Sequence, residues 1–424
     1  LSRGAETAVI RGVKGTKDIL PGDVAGWRRL EEAAQVLFPR YGYREIRTPV
    51  FEETQLFARG IGSETDIVSK EMYTFEDRDG SSLTLRPEAT AGIVRSVIEH
   101  NLVNTDPLLK VFCLGPMFRR ERPQKGRQRQ FHQVDVEAFG LSAPAIDVEV
   151  IEMSLAYLEA CGLSEYTLVL NSVGDFQCRP AYVETLRTAL RAVASKLCAE
   201  CQRRIETNPL RVLDCKIPED QATIDALPRI TDHLCADCRD HFAEVRRELE
   251  LLGIPHSLSH RLVRGLDYYT RTTFEVTSAS LGAQNSVLGG GRYDGLVEEL
   301  GGPKVPGIGF ALGMERLVMA LPEAPGEGRC DVFLLPAASG GLDKAVILER
   351  TLRRSGLRVL MDPEGRSFKA KMRMADKLGA KLVLILGEEE LQKGLWTIRD
   401  MRASSQEAVA EKDVVARLQE RLHG

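Results

Sequence analysis

The sequence predicts an α+β core built on an antiparallel sheet, carrying a helical insertion and followed by a small C-terminal α/β domain. Three observations carry this reading. Residues 110–140 have the pattern of a long hairpin: an apolar run, a polar loop, then a strand with strict alternation. Residues 174–254 lose strand alternation, take on helical spacing and hold six cysteines, five of them clustered between Cys198 and Cys238. A stretch rich in Pro and Gly, Leu321 to Arg329, then precedes alternating strand-like and helix-like segments. These divide the chain into residues 1–322, with 174–254 inserted within them, a linker at 323–330 and a second domain at 331–424.

In chain order, Val24, Trp27, Leu30, Ala34, Leu37 and Tyr41 recur at three- and four-residue steps, the buried stripe of a first helix over residues 23–41. Residues 44–49 read as a short strand ended by Pro49, which cannot donate to a ladder. Pro87 opens good helix-forming sequence whose start carries Glu88 and Thr90. In the second hairpin strand Gln133, Asp135 and Glu137 share one face and Val134, Val136 and Ala138 the other, because strand side chains alternate. Strand pattern is expected to resume around Val263. Beyond the linker, strands are predicted at 332–335, 358–361 and 381–386, with helices at 344–354 and 368–378 between them.

Composition narrows the function classes. The chain has 424 residues, 43% hydrophobic and 28% charged, which suits folded domains and argues against a disordered or collagen-like chain. The formal net charge is −4, so a polyanion must be met by a local basic patch and not by the overall field. The longest apolar runs, such as Lys381 to Leu386, fall far short of the roughly 18–20 residues needed to cross a bilayer. Residues 1–6 lack the apolar core of a secretory signal, so a cytoplasmic location is expected. Nine cysteines, an odd number in a long chain, fit reduced thiols or a metal site better than a disulfide framework.

The densest charge lies in the hairpin loop, where Arg119, Arg120, Arg122, Lys125, Arg127 and Arg129 fall within eleven residues. Guanidinium forks match phosphate oxygens, so such a loop beside a polar strand face suits a polyanion; the plainer alternative is a solvated loop. Two glycine-rich stretches, Gly289–Gly295 and Gly307–Gly313, invite a dinucleotide reading. Neither has the strand-then-G-x-G-x-x-G context, and no P-loop motif occurs, so ATP would need a different kind of site. Arg316 falls in the first turn of a helix entered from Gly313. Cys198/Cys201 and Cys235/Cys238 form two C-x-x-C pairs with Cys215 between them; together the pairs could give four thiolates to a structural zinc, with reduced, buried thiols as the alternative.

Taken together these residues resemble the class II aminoacyl-tRNA synthetases, and within them the histidyl-tRNA synthetase family, over nearly the whole chain. Residues 12–21 and the helix that follows are similar to the leading segment and first class motif, Gly115–Gln133 to the second, and Gly309–Leu317 to the third. Leu262–Tyr269 and Gly290–Gly295 resemble the two histidine-specific signatures.

The resemblance implies a class II catalytic core with a C-terminal anticodon-binding domain. It implies a homodimer that takes L-histidine, ATP with Mg2+, and tRNA(His), forms histidyl-adenylate and pyrophosphate, and then charges the tRNA. It assigns Arg119 to the α-phosphate, Arg316 to the γ-phosphate end of a bent ATP, Arg264 across the α-phosphate, and Arg127 to ATP as well. Glu88 and Thr90, with Gln133 nearby, would meet the α-amino group. Glu137 and Tyr269 would read the imidazole, and Tyr268 and Tyr293 would wall the pocket. The family's chemistry does not depend on the cysteine cluster, which places reduced thiols ahead of zinc. Arg353, Arg354, Arg358, Lys369, Lys371 and Arg373 are candidate tRNA backbone contacts. Two rivals stay open: a histidine-sensing relative without tRNA charging, and a nucleic-acid-binding module without catalysis. The first leaves the motif arginines, basic loop and C-terminal domain without a use, and the second leaves residues 264–269 so.

Overall fold

A computed structural model describes residues 9–62, 65, 67–124, 126–263, 265–282, 285–322 and 328–423. It divides into two compact units, residues 1–324 and 325–424.

The first unit is organised by an eight-stranded sheet. Its spatial order is Arg44–Glu45, Lys110–Phe118, Gln130–Phe139, Gly307–Gly313, Ser286–Arg292, Thr270–Thr277, Thr167–Ser172 and His256–Leu258. The six inner strands pair antiparallel, as expected, and each short edge strand adds a parallel pair. Register makes the two faces different in kind. Val136 lies opposite Phe310 and Val134 opposite Leu312, whereas Glu137 faces Gly309 and Asp135 faces Ala311. The apolar rows pack with Trp27, Leu30, Ala34 and Leu37 of helix Val24–Leu37 and with helix Pro144–Cys161 to make the main core. The polar row is left to the opposite face.

The first helix stops where Pro39 enters a 3-10 turn closed by Gly42 at φ 83°, a left-handed conformation that costs glycine little. A buried ion pair then locks the sheet to its helices. The Arg292 Nε donates to Asp147 at 2.7 Å, and Asp147 lies 2.7 Å from the His241 Nε2; Arg292 also donates to the carbonyls of Leu141 and Ala143. Both partners of the Arg292–Asp147 pair are fully buried, so removing either would strand an uncompensated charge. A separate three-stranded sheet, Phe51–Glu53, Ser82–Leu85 and Tyr73–Glu76, stands beside the core.

Between Arg179 and Leu251 every regular element is a helix or 3-10 turn. The strand expected around Val263 is displaced: strands occur at His256–Leu258 and Thr270–Thr277, and the described residues between them, 259–263 and 265–269, belong to no strand. The physical reason is that this segment lines the sheet's open face and so cannot pair within the sheet. The second unit is a five-stranded sheet in the order Val359–Met361, Val332–Pro336, Leu382–Leu386, Leu395–Asp400, Gln406–Ala410. Its first three strands are parallel and the last two antiparallel. Helices Gly341–Arg354 and Phe368–Lys377 supply the expected crossovers. The final two strands and helix Val414–His423 extend the alternation beyond its predicted end.

Candidate active site

The polar row of strand Gln130–Phe139 floors a cavity of about 690 Å³. Every described residue singled out in the sequence for histidine or ATP lines it: Glu88, Thr90, Gln133, Glu137, Tyr268, Tyr269 and Tyr293 together with Arg119, Arg127 and Arg316. Arg264 and Lys125 lie outside the described residues, as do 323–327 of the expected linker; Val263 and Gly265 both line the cavity.

One end is a set of buried acceptors. Helix Thr90–Glu99 begins two residues later than Glu88, whose carboxylate accepts the N–H groups of Thr90 and Ala91 at 2.9 Å each and so satisfies the helix's first free donors. The Thr90 hydroxyl donates to the Glu137 Oε1 at 2.6 Å, and the Tyr293 hydroxyl donates to Oε2. Burial pushes the Glu137 carboxyl up to about 8, against the lowering effect of those two donors. Glu88 is also raised by burial, and Asp135 lies well above the carboxylate range through burial and then the fields of Glu137 and Glu88. Both oxygens of Asp135 and the Oε1 of Gln133 are buried with no hydrogen-bond partner among the described residues. Such acceptors are costly to leave unmet, so the floor is built for a ligand that donates. Tyr268 packs against Tyr269 and Tyr293 with ring centroids 4.8 and 5.7 Å apart, closing the recess with aromatic faces.

Glycine makes the recess possible. A Cβ on Gly309 would collide with the Glu137 carboxylate, and one on Gly307 with the Tyr293 ring. The glycine-rich stretches that invite a dinucleotide reading are therefore neighbouring antiparallel strands, thinned where large side chains cross them.

The other end is cationic. The Arg119 Nε donates to the Pro87 carbonyl at 2.8 Å and its guanidinium stacks on Phe131 at 5.2 Å, fixing its plane. Arg316, third residue of helix Met314–Ala320, donates from Nη1 to the Ser286 carbonyl at 2.7 Å. Its pKa is lowered by burial and then by the fields of Arg127 and Arg119, the signature of like charges gathered for an anion. Arg127 is tethered to Glu121 at 3.0 Å. Glu315, which also lines the cavity, accepts the His132 N–H at 2.9 Å, joining the short helix to the hairpin.

Sequence reasoning places Asp135 on the right face without assigning it a role; its lack of a partner appears only once the neighbouring strands are in place. It also misses Arg211, Asp214 and Lys216, which the helical insertion contributes to the cavity wall and which no local motif marks.

The four cysteines Cys198, Cys201, Cys235 and Cys238 do not form one zinc site. Each C-x-x-C opens a different helix and meets different partners: Cys198 and Cys201 gather with Cys215 and Asp220, and Cys235 and Cys238 with Cys178 and Asp175. In the second unit, Lys371 is buried with its amine on the Pro336 carbonyl, and Arg353 and Arg358 are engaged with the Val359 carbonyl and Asp331. Arg354, Lys369 and Arg373 are exposed.

Residues 15–317 match the family model for histidyl-tRNA synthetase, and residues 331–421 match that for an anticodon binding domain. The chain is 52% identical to the histidine–tRNA ligase of Solibacter usitatus over 97% of its own length and 99% of the relative's, and 52% identical to that of Koribacter versatilis over 96% and 95%. The crystal structure of the apo histidyl-tRNA synthetase of Staphylococcus aureus superposes with a TM-score of 0.81 at 38% identity, covering 97% of this chain and all of that one. With a two-ended cavity of buried acceptors and converging guanidinium groups on this fold, the chain belongs to the histidyl-tRNA synthetase family.

Proposed function

We propose that this chain is a histidine–tRNA ligase. It joins L-histidine and ATP to give histidyl-adenylate and pyrophosphate, then transfers the histidyl group to the terminal ribose of tRNA(His), releasing AMP. The observation that carries the reading is the pairing, in one cavity, of buried acceptors that lack donors with arginines whose charges converge.

Histidine brings the donors the floor needs. Its ammonium meets Glu88, Gln133 and the unmet oxygens of Asp135, and its ring sits among the tyrosines with one N–H on Glu137. Each Glu137 oxygen already accepts one hydrogen bond and keeps a second lone pair for the ligand. Tyr269 meets the other ring nitrogen. A site that hydrogen-bonds both ends of an imidazole rejects side chains lacking them, because its own buried groups would then go unpaired.

The histidine carboxylate oxygen attacks the α-phosphorus of ATP, the α–β bridging P–O bond breaks, and the electron pair leaves with pyrophosphate. No proton transfer is required, so positioning and charge stabilisation do the catalysis. Arg119 holds the α-phosphate and Arg316 the γ-phosphate end, with Arg127 beside them and Arg264 assigned to the α-phosphate from the matching motif. ATP enters as its magnesium complex. Glu121 and Glu275 line the same cavity and offer the hard oxygen ligands that magnesium takes, and the ion would neutralise phosphate charge.

We assign the second unit to the anticodon end of the tRNA, with exposed Arg354, Lys369 and Arg373 as backbone contacts, and place the protein in the cytoplasm. Among the described residues no helix is long and apolar enough to cross a membrane. A second copy is the occupant we assign to the exposed apolar side chains Val36, Val50, Phe51 and Leu108 around the first class motif. The deciding experiment is ATP–pyrophosphate exchange with each amino acid in turn, followed by charging of total tRNA. Exchange with histidine alone and charging of one isoacceptor are expected. Histidine binding without exchange would select the sensing rival instead.

A further inference from the structure

The helical insertion contains two separate gatherings of sulfur and carboxylate. In one, Asp175, Cys178, Cys235 and Cys238 place one ligand atom each so that all lie within 4.8 Å of one another; in the other, Cys198, Cys201, Cys215 and Asp220 do the same. We propose that each holds a structural zinc ion through three thiolates and one aspartate, giving two zinc ions per chain.

Geometry supports a tetrahedral ion in each. Zinc–sulfur bonds of about 2.3 Å put thiolate sulfurs roughly 3.8 Å apart, with sulfur–oxygen edges slightly shorter. The Cys215 Sγ lies 3.3 Å from the Asp220 Oδ2, and the Cys178 Sγ and Cys235 Sγ lie 3.4 and 3.9 Å from the Asp175 oxygens. The backbone is folded back onto the sulfurs. The Cys201 N–H points to the Cys198 Sγ at 3.5 Å, the Ile217 N–H to the Cys215 Sγ at 3.4 Å, and the Asp175 N–H to the Cys178 Sγ at 3.4 Å. Amides aimed at sulfur stabilise thiolates, and Cys178, Cys198 and Cys235 each occupy the N-cap position of a helix, where negative charge is favoured; Cys198 also caps its helix with the sulfur. The carboxylates are oriented too: Asp220, almost fully buried, accepts the Cys198 N–H on both oxygens at 3.0 and 3.1 Å, and the Asp175 Oδ1 accepts from the Gln177 and Cys178 N–H groups.

Neither alternative explains both clusters. Three sulfurs cannot pair completely as disulfides, and an aspartate has no part in one. Simple packing of thiols leaves no reason to place a carboxylate among them, buried as at Asp220 or half-buried as at Asp175. An ion does, since three thiols that each release a proton to solvent, plus one carboxylate, give a charge set suited to a divalent soft-to-borderline cation.

Each ion would close a weak point. The first ties the start of the insertion, Asp175 and Cys178, to the start of its last helix, Ala236–Leu251. The second fastens helix Ala199–Thr207 to residues 208–225, which contain only 3-10 turns and a five-residue helix. That second clip holds the segment bearing Arg211, Asp214 and Lys216 against the cavity. The insertion has a small core of its own around Tyr182, Leu186 and Leu190, and subdomains of this size commonly add such a staple.

The test is metal analysis of full-length, tag-free protein purified under reductant without added metal. About two equivalents of zinc per chain are expected. Cys215→Ser and Asp220→Asn should each remove one equivalent, Cys235→Ser and Asp175→Asn the other, and the Cys215→Ser/Cys235→Ser pair both. Protein grown with cobalt in place of zinc should show sulfur-to-cobalt charge transfer and the intense d–d bands of tetrahedral coordination. Wild-type protein that is folded by circular dichroism yet holds less than a few tenths of an equivalent overturns the proposal, whether or not any variant folds. A single equivalent overturns it for the cluster whose variants leave the content unchanged.

Discussion

Glu137 shows how one side chain can tie recognition to stability. Its pKa in the folded protein is raised from an ordinary 4.5 to about 8 by burial, so the folded state holds the proton more tightly than the unfolded chain. Its stabilising contribution is therefore fully present below about pH 4.5 and is lost as pH rises toward 8. Relative to a Glu137→Gln variant, wild-type protein without ligand is expected to lose a few degrees of Tm between about pH 5 and 8. A constant difference across that range in thermal melts would contradict the assignment. Because the imidazole N–H favours the carboxylate, histidine affinity should rise with pH over the same interval, and calorimetry should detect proton release on binding. The Gln variant should bind histidine about 10–100-fold more weakly. Arg316 acts at the other end: Arg316→Ala should slow pyrophosphate exchange by about 10²–10³-fold with little change in histidine affinity. Equal losses in both quantities would mean a general packing defect.

Among the elements, strand Gly307–Gly313 matters for what it lacks. Its alternate residues give Ile308, Phe310 and Leu312 to the core and Gly309 and Ala311 to the cavity, while Gly307 leaves room for the Tyr293 ring. Gly309→Ala should displace the Glu137 carboxylate, raising KM for histidine at least 10-fold while leaving KM for ATP within about 2-fold. Steady-state exchange at varied histidine and ATP separates the two, and an unchanged histidine KM would show that the strand has room to shift. Much at this scale is legible in the sequence. The helix at Val24–Leu37 and the hairpin Lys110–Phe118/Gln130–Phe139 announce themselves because their periodicities are local. The stretch around Val263 reads as strand because Leu262 and Val263 are apolar, although Leu262 is buried and Val263 packs against the insertion's core without either joining a ladder. Periodicity reports that a side chain is buried, not which element buries it.

For the whole molecule, the two units divide close to the Pro/Gly-rich stretch, each with its own core. Protein ending at Pro322 should therefore retain histidine-dependent pyrophosphate exchange within about 3-fold, while tRNA charging at limiting tRNA falls by 100-fold or more. Charging that survives the truncation unchanged would remove the second unit from tRNA recognition. The insertion follows a different logic. Its helices are legible, but the sequence pairs its cysteines by proximity along the chain, whereas the structure joins Cys235 and Cys238 to Cys178 and Asp175 from the insertion's other end.

By itself the sequence determined which residue types are available and on which face of each element they fall, including the alternation that separates Val134 and Val136 from Gln133, Asp135 and Glu137. These are properties of backbone period and short motifs, complete within a few residues. Only the tertiary structure decided that Asp135 goes without a partner, that Gly309 makes room for Glu137, and that six cysteines and two aspartates fall into two sets of four. Those facts depend on distances between segments up to about 170 residues apart, as Glu137 and Gly309 are, and such distances exist only once the sheet has closed on its helices.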